Sequence, residues 1–342
     1  MPILLSAVLR MAFRRAASNR RLVVAMVIGV VLAVGLMAST AIYRDALDDL
    51  GFKFDLGQAT KSELDLRVSS TTHLTTPAEY NRDQTIVDRE LDQLSDLLQG
   101  RTRIATSATF FLTEPGLQPT EAPDRPRSRF QFLTDLEQHI AVDAGHLPAP
   151  AVATGEDGTP SFEVALGTVT AEALGVAVGD VFDLHPFWRP DKDPVTVTVV
   201  GLISPRDYDE EYWRLRRDHF RVDTQSWDTY PFFVPEETFS GAIASYLPDM
   251  TADLETLAYV DLGALSARNA EETSARLQAV AATLRGEIER ARVETTLPTV
   301  LDDFSEKQFF SRVPLLVLTL QVVGIILYYL VMVATMLVDR QS

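Results

Sequence analysis

The sequence predicts a membrane protein in which two transmembrane α-helices flank an α+β extracytoplasmic domain with two subdomains. Two apolar runs and a segregated charge predict it. Leu22–Ile42 has 21 residues and Leu315–Val338 has 24, and neither run contains a charged side chain. At about 1.5 Å per residue the longer run makes a helix of about 36 Å, enough to cross a hydrocarbon core of about 30 Å. Lipid offers the backbone no hydrogen-bonding partner, so both runs are expected to be helical. The chain has a net charge of −17; residues 1–44 contribute +6 and residues 309–342 contribute +1, which leaves −24 on the 264 residues between.

The order of elements follows from these runs. Arg10, Arg14, Arg15, Arg20 and Arg21 precede the first run, which places the N-terminus in the cytoplasm of a cell (inner) membrane. Residues 1–21 read as a basic amphipathic segment at the cytoplasmic surface, and 22–42 as the first span. Ser39–Ala41 would serve as a signal-peptidase site, but 21 apolar residues exceed the usual hydrophobic region of about 7–15, so the run is read as retained. Residues 43–312 then lie outside, with stalks at Tyr43–Phe54 and Leu297–Arg312. The second span, 315–338, returns to a cytoplasmic end at 339–342.

Within the outer domain, alternation predicts a strand at Glu63–Ser70. Ile86, Val87, Leu91, Leu94, Leu97 and Leu98 fall at helical spacing, with Gly100 as the stop. Strands are expected at Arg103–Leu112, Arg129–Leu136 and His139–Gly145, with a proline-rich loop holding Pro115, Pro119, Pro123 and Pro126. Phe162–Leu184 reads as strand, short helix capped by Thr170 and stopped by Gly175, turn at Gly179–Asp180, and strand. Val195–Ile203 is β-branched at every position from 195 to 200, as a buried strand is. A long helix is expected at Ala270–Arg292, and Leu297–Arg312 runs as helix toward the second span.

Chemistry is mostly excluded. The acidic outer domain is unsuited to nucleic acid. There is no G-x-x-x-x-G-K-[ST], so no intrinsic ATPase, and no H-E-x-x-H or G-x-S-x-G. No cysteine is present, and His73, His139, His146, His185 and His219 are not spaced to share a helical face, so neither metal nor cofactor is expected. Ile203–Trp213 packs Asp207, Asp209, Glu210 and Glu211 among Tyr208, Tyr212 and Trp213, with Trp188 and Trp227 near in sequence. Two readings stand: an aromatic partner-docking surface, or aromatics that fill the core beside a solvated acidic loop. In the second span, Gln321 and Gly324 suit packing against another helix.

The block "TAEALGVAVGDVFDL…VTVTVVGLISP" resembles the core-domain pattern of MacB/FtsX-type ABC transporter permeases, on Ala171, Leu174, Gly175, Val178, Gly179, Asp180, Leu184, Val199, Val200 and Gly201. The basic start, first span, outer domain and closing "GIILYYLVMVATMLVDRQ" resemble the N-terminal half of the same family. The resemblance implies a permease subunit served by a separate ABC-type ATPase on the cytoplasmic side. It also implies further spans or a second permease half, and an extracytoplasmic substrate or cell-envelope partner. Lipoprotein, lipid or peptide export, or mechanotransmission to an envelope protein, would be the task. Family members continue beyond the second span, so the chain is expected to be a piece of a longer permease or a split subunit. The alternative from another class is a two-pass receptor or sensor with an outer ligand-binding domain. A tethered enzyme lacks any nucleophile or metal constellation to support it.

Overall fold

The computed structural model describes residues 46–119, 126–150, 152–154, 160–213, 220–224 and 228–339, with Val24, Val27, Ile28, Val31, Val34, Gly35 and Ala38. The predicted amphipathic segment 1–21, most of the first span, part of the proline-rich loop, His219, Trp227 and residues 340–342 lie outside the described residues. The chain forms two compact units: Met1–Gln58 with Ser266–Glu271 and Thr299–Ser342, and Ala59–Leu265 with Glu272–Pro298.

The second unit is built on twelve strands. These are β1 Leu66–Leu74, β2 Leu98–Ser107, β3 Phe110–Thr113, β4 Arg127–Leu133, β5 Ile140–Gly145 and β6 Val152–Thr154, then β7 Pro160–Gly167, β8 Val181–Pro186, β9 Val195–Pro205, β10 Thr229–Phe233, β11 Thr251–Val260 and β12 Ala291–Glu294. Among the helices are α1 Pro77–Asp92, α2 Thr168–Leu174, α3 Ala270–Glu287 and α4 Leu297–Asp339. The strand order is β10-β7-β9-β8-β3-β4-β2-β11-β1-β12, with β5 on β9 and β6 on β7. Because β10 also lies parallel to β4, the first six strands close on themselves into a ring. From β4 outward, β2, β11, β1 and β12 continue as an open antiparallel sheet. The two subdomains expected from sequence are therefore not separate bodies: the pairing of Ile104 with Leu133 makes ring and open sheet one hydrogen-bonded surface.

The ring is filled by Phe110, Phe130, Phe162 and Phe232 with Val195, Val197 and Val199, all fully buried. Their rings meet edge-on, with Phe110–Phe130 at 5.2 Å and Phe130–Phe162 at 6.5 Å, the arrangement favoured by aromatic quadrupoles. A second core gathers Leu133, Ala165, Ile203, Trp213, Phe220 and Phe233. Alternation sends Val164 and Leu166 to the first core and Ala165 to the second. On β9 the register shifts between Val199 and Gly201, so Val200 is an extra residue and Ile203 reaches the second core.

Several boundaries differ from the sequence reading. The helix expected to stop at Gly100 ends at Asp92; Leu94 and Leu97 are buried in the turns that follow, and Gly100 lies in β2. The strand expected from Glu63 starts at Leu66, after one helical turn in which the Glu63 carboxylate accepts from the Thr60 N–H at 2.8 Å and hydroxyl at 2.7 Å. Arg103–Leu112 is two strands, β2 and β3. The helix expected to reach Arg292 ends at Glu287, because Arg290 turns the chain at φ 58° and Ala291–Glu294 pairs with β1. Gly167, not Thr170, is the N-cap of α2; the buried Thr170 hydroxyl donates to the Phe220 carbonyl at 2.6 Å.

The first unit holds residues 46–56, which are helical, and most of α4. Phe52 and Phe304 meet edge-on at 5.1 Å, Gln308 donates to Asp48 at 2.7 Å and Lys307 lies 3.1 Å from Asp55. The two predicted stalks thus pair side by side. α4 continues through Pro314 and includes the predicted second span. Among the described residues no helix is long and apolar enough to cross a membrane, so the two spans rest on the sequence.

One close approach is testable. Gly145 and Gly201 face each other in the β5–β9 pair, and a Cβ on Gly201 would overlap the His146 carbonyl oxygen. Backbone cannot yield as a side chain can, so Gly201→Ala should cost about 3 kcal/mol or more. Gly286, in α3 with nothing within 4 Å of its would-be Cβ, should gain up to about 1 kcal/mol on Gly286→Ala. Chemical denaturation of both variants checks the pair.

Candidate functional site

The residues of the family-like block are structural in this fold. α2 stops because Gly175 adopts φ 73°, and its N–H and that of Val176 return to the Ala171 carbonyl. Gly179 turns at φ 102°, the Asp180 carboxylate accepts from the Ala177 N–H at 2.9 Å, and Gly179 N–H and Asp180 C=O bond to Val199 of β9. The glycines allow the turn and Asp180 closes it. Together they seat the start of β8 on β9, while Gly201 lets β5 approach further along the same edge, opposite β7.

Among the described residues the aromatic side chains of the expected surface do not gather on one exposed face. Trp213 is fully buried and Tyr212 nearly so, because the single helical turn Glu211–Trp213 folds inward to complete the second core. Trp213 meets Phe220 edge-on at 5.2 Å, and Tyr212 stacks on His139 at 3.8 Å. Trp188 is half-buried against Phe110, and Tyr208 alone of the described set is exposed. Trp227 is outside the described residues. Glu210 and Glu211 are held by His139 and Lys61. Gln321 and Gly324 are exposed on α4.

What the sequence did not reveal is a cleft of about 950 Å³. β4 and β10 run parallel, so the segments that leave them, Thr134–Glu137 and Val234–Glu237, emerge at the same end of the sheet. Between them the floor is apolar, formed by Leu133, Leu136, Leu147, Ala165, Ile203 and Phe233. One wall is charged. The Tyr80 hydroxyl donates to Glu236 at 2.7 Å, Arg103 lies 3.3 Å from the same carboxylate, and Arg101 lies 3.4 Å from Asp88 and 3.1 Å from Asp92. Burial, and then the Glu236 charge, push the Tyr80 phenol far above its ordinary range. Beyond Asp135, a smaller hollow of about 270 Å³ is lined by His139, Tyr212 and Tyr259.

α1 carries Tyr80 and Asp88 to this wall, and its position is set by a buried polar contact. His73 Nε2 of β1 lies 2.8 Å from Asp83 Oδ2 of α1, and Arg82 lies 2.8 Å from the other oxygen, with His73 and Asp83 both less than a tenth exposed. His73 follows a bulge whose Thr72 sits at φ 54°. Among the described residues no group of three His, Asp or Glu side chains is placed to hold a metal ion.

No family model matches the chain, and no curated protein matches it. Among solved structures, the periplasmic region of MacB from Actinobacillus actinomycetemcomitans is similar at 13% identity, with a TM-score of 0.32, over 72% of this chain and 94% of that one. A domain described as that of a permease protein from Porphyromonas gingivalis is similar at 10% identity, with a TM-score of 0.30, over 68% of this chain and 88% of that one.

Tyr80→Phe should destabilise the protein by about 1–3 kcal/mol near neutral pH, since it removes a hydrogen bond to a charged group. The native phenol holds its proton above the unfolded value of about 10, so its contribution is complete below pH 10 and falls as pH rises beyond it. The gap between wild type and Tyr80→Phe should therefore narrow above about pH 10, as denaturation midpoints at neutral and alkaline pH would read.

Proposed function

We propose that the chain is the N-terminal half of an ABC-type permease that works by mechanotransmission. In this reading residues 22–42 and 315–338 cross the membrane, 43–312 lie outside, and 1–21 and 339–342 face the cytoplasm. A separate ATPase binds there, and its ATP-driven dimerisation is transmitted outward. The rest of the permease comes from further spans or a second half. The outer domain then acts on a lipoprotein, lipid or peptide, or on a cell-envelope partner.

The observation that carries this reading is the pairing of the two stalks. Segment 46–56 and the start of α4 are joined by Phe52–Phe304, Lys307–Asp55 and Gln308–Asp48, and α4 is one helix from Leu297 to Asp339. A continuous helix with a braced neighbour passes displacement along its axis, as a flexible linker would not. The apolar positions agree: Val24, Val27, Ile28 and Val31 are exposed, as are Leu320, Ile325, Leu327 and Tyr328 on α4. Side chains of this kind left uncovered on helices suit lipid or further helices.

Two measurements test it. The natural chain has no cysteine, so Ser18→Cys and Ser226→Cys report topology with an impermeant maleimide on intact cells. Labelling at 226 and not at 18 is expected, and the reverse pattern would overturn the topology. Purification of the full-length product from native membranes in mild detergent should recover an ABC-type ATPase in stoichiometric amount. Function that persists with no such ATPase would overturn the permease reading.

A further inference from the structure

We infer that the cleft at the ends of β4 and β10 binds a polypeptide segment that carries lysine or arginine beside apolar side chains. The cleft's own cations are already matched: Arg103 by Glu236, and Arg101 by Asp88 and Asp92. Among the described residues of the lining no positive charge is left over for an anionic ligand. The surplus is negative. Asp135, Glu137 and Glu237 are exposed on the lining, and among the described residues none of the three has a cationic partner.

These carboxylates are spread over two segments that leave parallel strands at the same end. A single amine answers one of them; a chain with two or more basic residues answers several at once. The apolar floor, with Leu136, Leu147 and Phe233, takes the side chains between those charges. At about 950 Å³ the cleft stands at the upper end of the range for small-molecule sites, about 300–1,000 Å³, and is open enough for a short stretch of chain. The −24 charge of residues 45–308 adds a long-range field that draws a basic partner toward the domain. The assignment deepens the permease reading by naming the chemistry of its outer partner or cargo. It rests on that reading only for the cleft's place outside the membrane.

The test uses the full chain in phosphatidylcholine nanodiscs, with empty nanodiscs as the blank, and titration calorimetry at low salt. The probe is the capped hexapeptide Leu-Lys-Leu-Leu-Lys-Leu. Saturable binding is expected, lost when the lysines are replaced by glutamate and when the leucines are replaced by serine. Glu137→Gln with Glu237→Gln should weaken it about fivefold to tenfold. Glu271→Gln with Glu272→Gln removes the same charge elsewhere and should change it less than about twofold. Absence of binding, equal loss in the two double variants, or indifference to the leucines would overturn the proposal. So would octylammonium binding as tightly with the same dependence on Glu137 and Glu237, since that makes the site one for small amines. No ATPase enters this titration, so a failure here leaves the permease reading standing, and a missing ATPase leaves this binding measurable.

Discussion

Strand β4 is the constraint on which the twelve-stranded unit depends. Along one edge it pairs in parallel with β10 from Arg127 to Gln131. Its other edge is shared between β3 at Arg127 and Ser128 and β2 at Gln131, Phe132 and Leu133. At the changeover the Ser107 hydroxyl accepts from the Phe130 N–H at 2.9 Å. That hydroxyl supplies an acceptor to a backbone group deep in the core, where an unpaired one would be costly. Ser128 and Gln131 are fully buried beside Phe130 and Phe132. One seven-residue strand thus closes the ring, starts the open sheet and feeds side chains to both cores.

The cleft is a consequence of that geometry. Parallel strands cannot be joined by a tight hairpin, so the chain leaves β4 and β10 at the same end and in different directions. The space between the departing segments is walled by β2 and α1, and Tyr80, Arg103 and Glu236 fill that wall with matched charge. The balance of the wall is what leaves the mouth negative. Among the described residues both arginines of the lining, Arg101 and Arg103, are held by acids, while Asp135, Glu137 and Glu237 are exposed.

The candidate surface drawn from the aromatic-rich segment failed for a related reason. Composition placed Tyr208, Tyr212 and Trp213 together with acids, a pattern equally consistent with a docking face and with a core insertion. In the second core Trp213 packs edge-on against Phe220, which in turn meets Phe233 at 4.9 Å. Nothing local in Asp209–Trp213 distinguishes the two outcomes, because the hollow to be filled is made by strands far away in sequence.

Local chemistry was legible where it is local. Glycine at 175 and 179, with Asp180, spells a helix stop and a closed turn in any context, since only glycine adopts those φ values without strain. The unbroken β-branched run at 195–200 spells a buried strand, and uncharged runs of 21 and 24 residues spell candidate spans whatever surrounds them. Helix ends were legible only in part. Leu94 and Leu97 keep helical spacing yet lie in turns, because β2 must begin at Leu98 to pair with β11; Arg290 breaks a helical pattern so that β12 can reach β1. The tertiary structure alone decided the ring, the shared strand and the cleft. The cleft's residues come from segments between Tyr80 and Ser240, and no spacing along a chain records a convergence made by strand pairing.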